Sequence, residues 1–186
     1  IIVMSVMNGF KTELTNKILG LNPHIIIQPN GSNIDEEYVS KIKNNFKNII
    51  VSKTFSGEGI IIINDQAKGV IFKGVNNEEK KIKEFLEKNI VSGDIKKFKK
   101  NNIFIGSELA FNLNLNEGDK INLMSSAFVA TPLGSLPKQE SFNIAGIFNT
   151  GFVEFDQNII FLTTEDALSL FGKDTKDQNL EIYLKN

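Results

Sequence analysis

Chemistry in this sequence would have to come from serines, lysines and carboxylates. The single histidine, His24, stands beside the apolar run Ile25-Ile26-Ile27, and the chain contains no cysteine. A Ser/His/Asp relay, a thiolate nucleophile and the usual Cys/His zinc frameworks therefore have nothing to be built from. Asp35, Glu36 and Glu37 cluster where a helix is expected to start, and the positive end of the helix dipole accounts for them without a metal or a general acid. Gly57-Glu58-Gly59 lacks the following helix that a phosphate-cradling loop needs, and Gly93-Asp94 and Gly118-Asp119 read as turns. A Ser/Lys hydrolase stays formally open because both residue types are plentiful, although no particular serine is paired with a particular lysine. The sequence thus predicts no catalytic residue, no metal site and no cofactor, and so a protein that is not itself an enzyme.

The bulk properties narrow the partners. The 186 residues, 41% hydrophobic, are long enough to bury a core as one domain or two small subdomains. Twenty-one basic residues, all lysine, face 22 acidic ones, and the net charge of −1 gives no field that would steer the chain to nucleic acid. Absent arginine also removes the best bidentate binder of phosphate and carboxylate. No stretch reaches the roughly 20 apolar residues that cross a bilayer. Residues 1–7, Ile1-Ile2-Val3-Met4-Ser5-Val6-Met7, are nevertheless an uncharged apolar run without a basic leader, which fits either the last turns of a membrane helix or a buried strand.

Periodicity lays out the elements. Phe10, Leu14, Ile18, Leu19 and Leu21 predict an amphipathic helix that closes near Gly20, before Pro23. A short strand over 24–28 and a loop over 29–33 lead to a helix over 35–46 with Tyr38, Val39, Ile42 and Phe46 as its buried face. Strands follow over 49–54, 59–63 and 69–74, the last two joined by a turn at 64–67. Ile82, Phe85 and Leu86 mark one face of a charged helix over 77–88, and Ser92-Gly93-Asp94 breaks the pattern, which places a subdomain boundary there. Beyond it come a strand over 102–105, a short helix capped by Ser107, and strands over 120–124, 142–148 and 158–162. A helix capped by Thr164 and running through Phe171, then a strand over 180–184, complete an α+β architecture.

One stretch stands apart. Residues 125–137 carry no charge in a chain that is 23% charged, and they lie between two well-marked strands. Pro132 and Pro137 fix φ and remove two backbone donors, and Gly134 permits a φ that other residues resist, so a stiff hairpin is expected. Either Phe128, Val129, Leu133 and Leu136 are displayed near its tip as a protein contact, or the loop folds back and fills its own core.

The segments Val3-Met4-Ser5-Val6-Met7-Asn8-Gly9-Phe10 and Ile18-Leu19-Gly20-Leu21 resemble the end of the first membrane helix and the stalk of lipoprotein-releasing permeases of the LolC/LolE type. Ile105-Gly106-Ser107-Glu108-Leu109-Ala110, Leu115-Asn116-Glu117-Gly118-Asp119-Lys120-Ile121, Thr131-Pro132-Leu133-Gly134-Ser135-Leu136-Pro137 and Phe142-Asn143-Ile144-Ala145-Gly146-Ile147-Phe148 follow in the family's order, so the resemblance covers nearly the whole chain. It implies a MacB-like periplasmic core in an inner-membrane ABC transporter. Residues 1–21 would be the membrane-helix end and stalk, and 22–92 the first part of a split βαβ porter-like subdomain. Residues 93–179 would be an inserted β-rich sabre-like subdomain with a hook hairpin over 126–139, and 180–186 the start of a returning porter strand. The implied function is release of lipoproteins from the inner membrane to a soluble LolA-like chaperone, docked by the hook. Its residues would be Phe128, Val129, Thr131, Pro132, Leu133, Gly134, Leu136 and Pro137, with a polar pad at Lys138 and Gln139. Glu140 stands where the family usually has a basic residue. Met7 would lie near the lipoprotein, a LolD-like cytoplasmic subunit would hydrolyse ATP, and a second permease copy or paralogue would complete the assembly. The alternative within the same fold is a MacB-like relay domain of an efflux or signalling permease that handles no lipoprotein.

Overall fold

The computed structural model describes residues 23–29, 34–63, 66–76, 80–132 and 134–184. The apolar run with Met7, the expected stalk helix, Asn64 and Asp65 of the expected turn, and Leu133 lie outside the described residues. Among the described residues the chain runs β1 (Ile25–Ile27), α1 (Glu36–Asn45), β2 (Ile49–Ile63), β3 (Gln66–Val75), α2 (Lys80–Asn89), β4 (Ile90–Gly93), β5 (Asn102–Gly106), α3 (Ser107–Leu113), β6 (Lys120–Thr131), β7 (Gly134–Phe148), α4 (Val153–Asp156), β8 (Ile159–Thr163), α5 (Thr164–Phe171) and β9 (Asn179–Leu184). The α+β class expected from periodicity is what forms.

Six of these strands close on one another. β2 pairs antiparallel with β3, β3 parallel with β8, β8 antiparallel with β5, β5 parallel with β7, β7 antiparallel with β6, and β6 antiparallel with β2. A closed ring leaves its members without a free edge, and alternation then sorts side chains to two sides. Ile103 and Ile105 of β5 and Ile160 and Leu162 of β8 join one cluster with Ile61, Phe72, Leu123 and Phe142. The residues between them, Phe104 and Phe161, join a second cluster with Ile82 and Leu86 of α2, Phe98 and Phe148. Helix α5 adds Ala167, Leu168, Leu170 and Phe171 to the first cluster, so it is held by the core along its apolar side. The ring draws β2 and β3 from before residue 92 and β5 to β8 from after it. Outside the ring, β9 pairs with the first part of β2 and carries β1 on its far edge, and β4 pairs with β7.

The structure corrects several sequence expectations. The strands expected over 49–54 and 59–63 are one fifteen-residue strand. Its apparent interruption is a packing device: Ser52 and Thr54 are buried, a Cβ on Gly57 would lie 2.5 Å from the Phe171 ring, and one on Gly59 would lie 2.3 Å from the Phe72 ring and from Met124 O. Thr163, not Thr164, caps α5, its hydroxyl accepting from Asp166 N at 3.1 Å. Gly106, not Ser107, is the cap residue of α3, with extended backbone at φ −72° and ψ 152° and no side-chain cap bond, and a Cβ there would fall 2.0 Å from Asp156 O. Asp35 does cap α1, accepting from Tyr38 N at 2.7 Å, but of the expected buried face only Val39 is buried, and Tyr38 and Phe46 are exposed. The strand β4 and helix α4, unread in the sequence, are both short, and α4 is tied down by buried Asp156, which accepts from Thr150 N and from the Thr150 hydroxyl at 2.8 Å.

Candidate docking surface

β6 pairs with β2 only as far as Ser125. Beyond that point residues 126–131 pair with β7 alone, and β7 over 134–142 pairs with β6 alone, so a two-stranded ribbon leaves the ring. Its register sets Phe128 opposite Pro137, Val129 opposite Leu136, Ala130 opposite Ser135 and Thr131 opposite Gly134. The register brings Thr131 and Gly134 together at the head of the ribbon, where the chain reverses and a positive φ is useful. Gly134 supplies that with φ +117°, and the Thr131 hydroxyl donates to Gly134 O at 2.7 Å.

Phe128 is 68% exposed, Leu136 53% and Val129 45%, so these side chains face solvent and do not fill the core. Opposed residues share a face and neighbours alternate, which puts Val129 with Leu136 on one face and Phe128 with Pro137 on the other. Apolar surface is thus offered on both sides. Pro132, Gly134 and Gln139 are exposed, and Thr131, Pro137 and Lys138 are half-buried.

At the root the ladder is irregular. Met124 faces Gln139 and the next registered pair is Phe128 with Pro137, so Ser125, Ser126 and Ala127 stand against Lys138 alone. Such a bulge bends the strand and leaves backbone groups unpaired. Here the buried Ser125 hydroxyl donates to Leu170 O at 2.6 Å and accepts from Ala127 N at 3.2 Å. On the opposite strand Lys138 Nζ donates to Ser169 O, and Glu140 accepts from the Ser169 hydroxyl at 2.9 Å while pairing with Lys138 at 3.2 Å. The sequence pattern singles out neither Ser125 nor Ser169 for this role; two adjacent serines at the start of a charge-free stretch are the one available signal.

The other end of α5 is also fixed. Asp166 accepts from Asn101 N and from the Thr163 hydroxyl, both at 2.9 Å. Burial pushes the Asp166 carboxyl above the usual carboxylate range, and these hydrogen bonds pull partly against it. A cleft of about 530 Å³ near this end is lined by charged side chains, among which Lys100 pairs with Glu165 at 2.8 Å and Lys53 with Glu36. His24 serves the backbone, its Nδ1 accepting from Leu184 N at 3.2 Å. Among the described residues no group of His, Asp and Glu converges to hold a metal, and no helix is long and apolar enough to cross a membrane.

No protein-family model matches the chain. Among solved structures the fold is similar to the periplasmic region of MacB from Actinobacillus actinomycetemcomitans, with TM-score 0.54 at 11% identity over 94% of this chain and 80% of that one. It is equally similar to the extracellular domain of the ABC-type transporter YknZ from Gram-positive bacteria, with TM-score 0.55 at 11% identity over 87% and 82%. The fold is therefore that of MacB-like extracytoplasmic domains of ABC permeases.

In sequence the chain is a relative of LolC-type permeases, as its ordered motifs implied. It is 26% identical over 99% of its length to the lipoprotein-releasing system transmembrane protein LolC of Neisseria meningitidis serogroup B, and 33% identical over 92% to the LolC protein of Buchnera aphidicola subsp. Schizaphis graminum. It spans 45% and 43% of those proteins, less than half the length of each.

Proposed function

We propose that the chain is the periplasmic domain of an inner-membrane ABC permease that releases lipoproteins and passes them to a soluble periplasmic chaperone, which docks on the hairpin over 128–137. The observation that carries this reading is a charge-free ribbon standing off a closed ring, with Phe128, Val129 and Leu136 exposed on two faces. A contiguous exposed apolar projection marks a protein contact, and LolC-named relatives over nearly the whole chain supply its context. The role of the domain is mechanical. ATP would be hydrolysed by a separate cytoplasmic subunit, a second permease copy or paralogue would complete the assembly, and Met7 would face the lipoprotein. The division into a porter-like part over 22–92 and a sabre-like part over 93–179 belongs to the same proposal.

Gln139 is free to act as the polar pad beside the hairpin, since it is exposed. The relay reading, in which a MacB-like domain transmits movement without handling lipoprotein, leaves the exposed hairpin without a task. A photoreactive amino acid placed at Leu136 in cells tests the proposal: it should crosslink to the lipoprotein chaperone during export. A crosslink confined to other parts of the permease would overturn it.

A further inference from the structure

The hairpin needs something to aim it, and its own strands cannot do so. A two-stranded ribbon is marginally stable alone and twists more than a broad sheet, and past Ser125 the strands of this one pair only with each other. Its direction is decided at the root, where a bulge would otherwise leave backbone donors idle and the strands loose.

We infer that Ser125, assisted by Lys138 and Glu140, is the positioning element of the docking hairpin, clamping both ribbon strands to the last turn of α5. This rests on the docking reading above. The last four carbonyls of a helix have no partner within it. Ser125 takes one, Leu170 O, while the same hydroxyl accepts from Ala127 N inside the bulge, so a single side chain uses its donor and an acceptor to join the bend to the helix. Lys138 takes the neighbouring Ser169 O from the other strand, a placement that the negative end of the helix favours. Glu140 closes the arrangement through the Ser169 hydroxyl and Lys138.

Consecutive residues of one helix thus hold the two strands of the ribbon. The helix itself cannot yield. Leu168, Leu170 and Phe171 are in the core, Asp166 binds its first turn to Asn101 N, and Gly172 ends it in left-handed conformation with its N–H on Leu168 O and Ser169 O. Ser125 is only 4% exposed, so water has little access to replace its hydroxyl. Glu140 accordingly faces α5 and works on anchorage, which explains an acidic residue beside a surface meant for a partner.

The test is a distance measurement in the full-length protein. The sequence described here has no cysteine, so spin labels enter at Ser135→Cys on the ribbon and Glu154→Cys on α4 without competing sites in it. Pulsed electron–electron resonance should give one narrow distance in the otherwise unchanged protein and in Ser125→Thr, which keeps the hydroxyl, and a broad distribution in Ser125→Ala. Ser169→Ala, at an exposed helix position, should broaden it less. If the freed ribbon holds the docking direction about a tenth of the time, chaperone affinity in Ser125→Ala falls about tenfold. A distribution in Ser125→Ala as narrow as in the parent protein overturns the inference. The docking reading fails separately, if Phe128→Asp binds chaperone as the parent does, because the distances are read with no chaperone present.

Discussion

Replacing both Phe128 and Leu136 by Asp should abolish measurable chaperone docking while leaving the fold intact. Fully burying such a side chain contributes about 1.5–3 kcal/mol. Phe128 is 68% exposed and Leu136 53% exposed, so about 1–2 kcal/mol at each remains to be gained when a partner covers them. Losing both removes about 3 kcal/mol, or roughly a hundredfold in affinity, and carrying two unpaired carboxylates into an apolar contact weakens it further. The folded state loses little, since the ribbon past Ser125 pairs only with itself; about 0.5 kcal/mol or less per site is expected. Titration calorimetry against the cognate chaperone, beside a melting curve of the same preparation, reads both quantities. Parent-like affinity would refute the reasoning outright. A collapse of the melting temperature would refute it differently, by showing that the hairpin belongs to the core.

Gly106→Ala should destabilise the protein by about 2 kcal/mol or more, as overpacking against backbone does, because its Cβ would lie 2.0 Å from Asp156 O. Gly69→Ala, where nothing lies within 4 Å, should be neutral or stabilising by about 0.5 kcal/mol, and urea unfolding of the two variants compares them directly. For Asp166, burial raises the pKa in the folded state. The stability this gives is complete below the unfolded value of about 3.9 and is lost as pH rises through the raised folded value. The advantage of the parent protein over Asp166→Asn in urea titrations should therefore shrink from acid toward neutral pH, and an advantage that grows with pH would contradict the assignment.

Elements with one strong period were legible in the sequence. The helix face of Ile82 and Leu86 and the apolar runs that became β5, β7, β8 and β9 appear near their expected places because burial alone dictates them. What failed was punctuation. Gly57, Gly59, Ser52 and Thr54 look like a break, yet they lie within a strand whose neighbours include the Phe171 and Phe72 rings, and those rings come from 114 and 13 residues further along the chain, counting from Gly57 and Gly59. A threonine pair offers two capping hydroxyls, and only the three-dimensional path shows that Thr163 takes the role. The hairpin was legible from its missing charge and its prolines, including the exposure of its side chains as one of two readings. Its anchorage was not, because the bonds from Ser125 to Leu170 and from Glu140 to Ser169 span 45 and 29 residues with no pattern to announce them.

β2 has a mechanical consequence. At about 3.3 Å per residue, its fifteen residues form one member nearly 50 Å long. Six consecutive residues at its start are laced to β9, and Gly59 to Ile62 near its far end are laced to β6, just short of the root of the hairpin. A pull directed along β9 would load those six pairs together in shear and would not peel them one by one. Tension would then travel along the one backbone of β2, crossing no loop, from the β9 ladder to the strand that carries the ribbon.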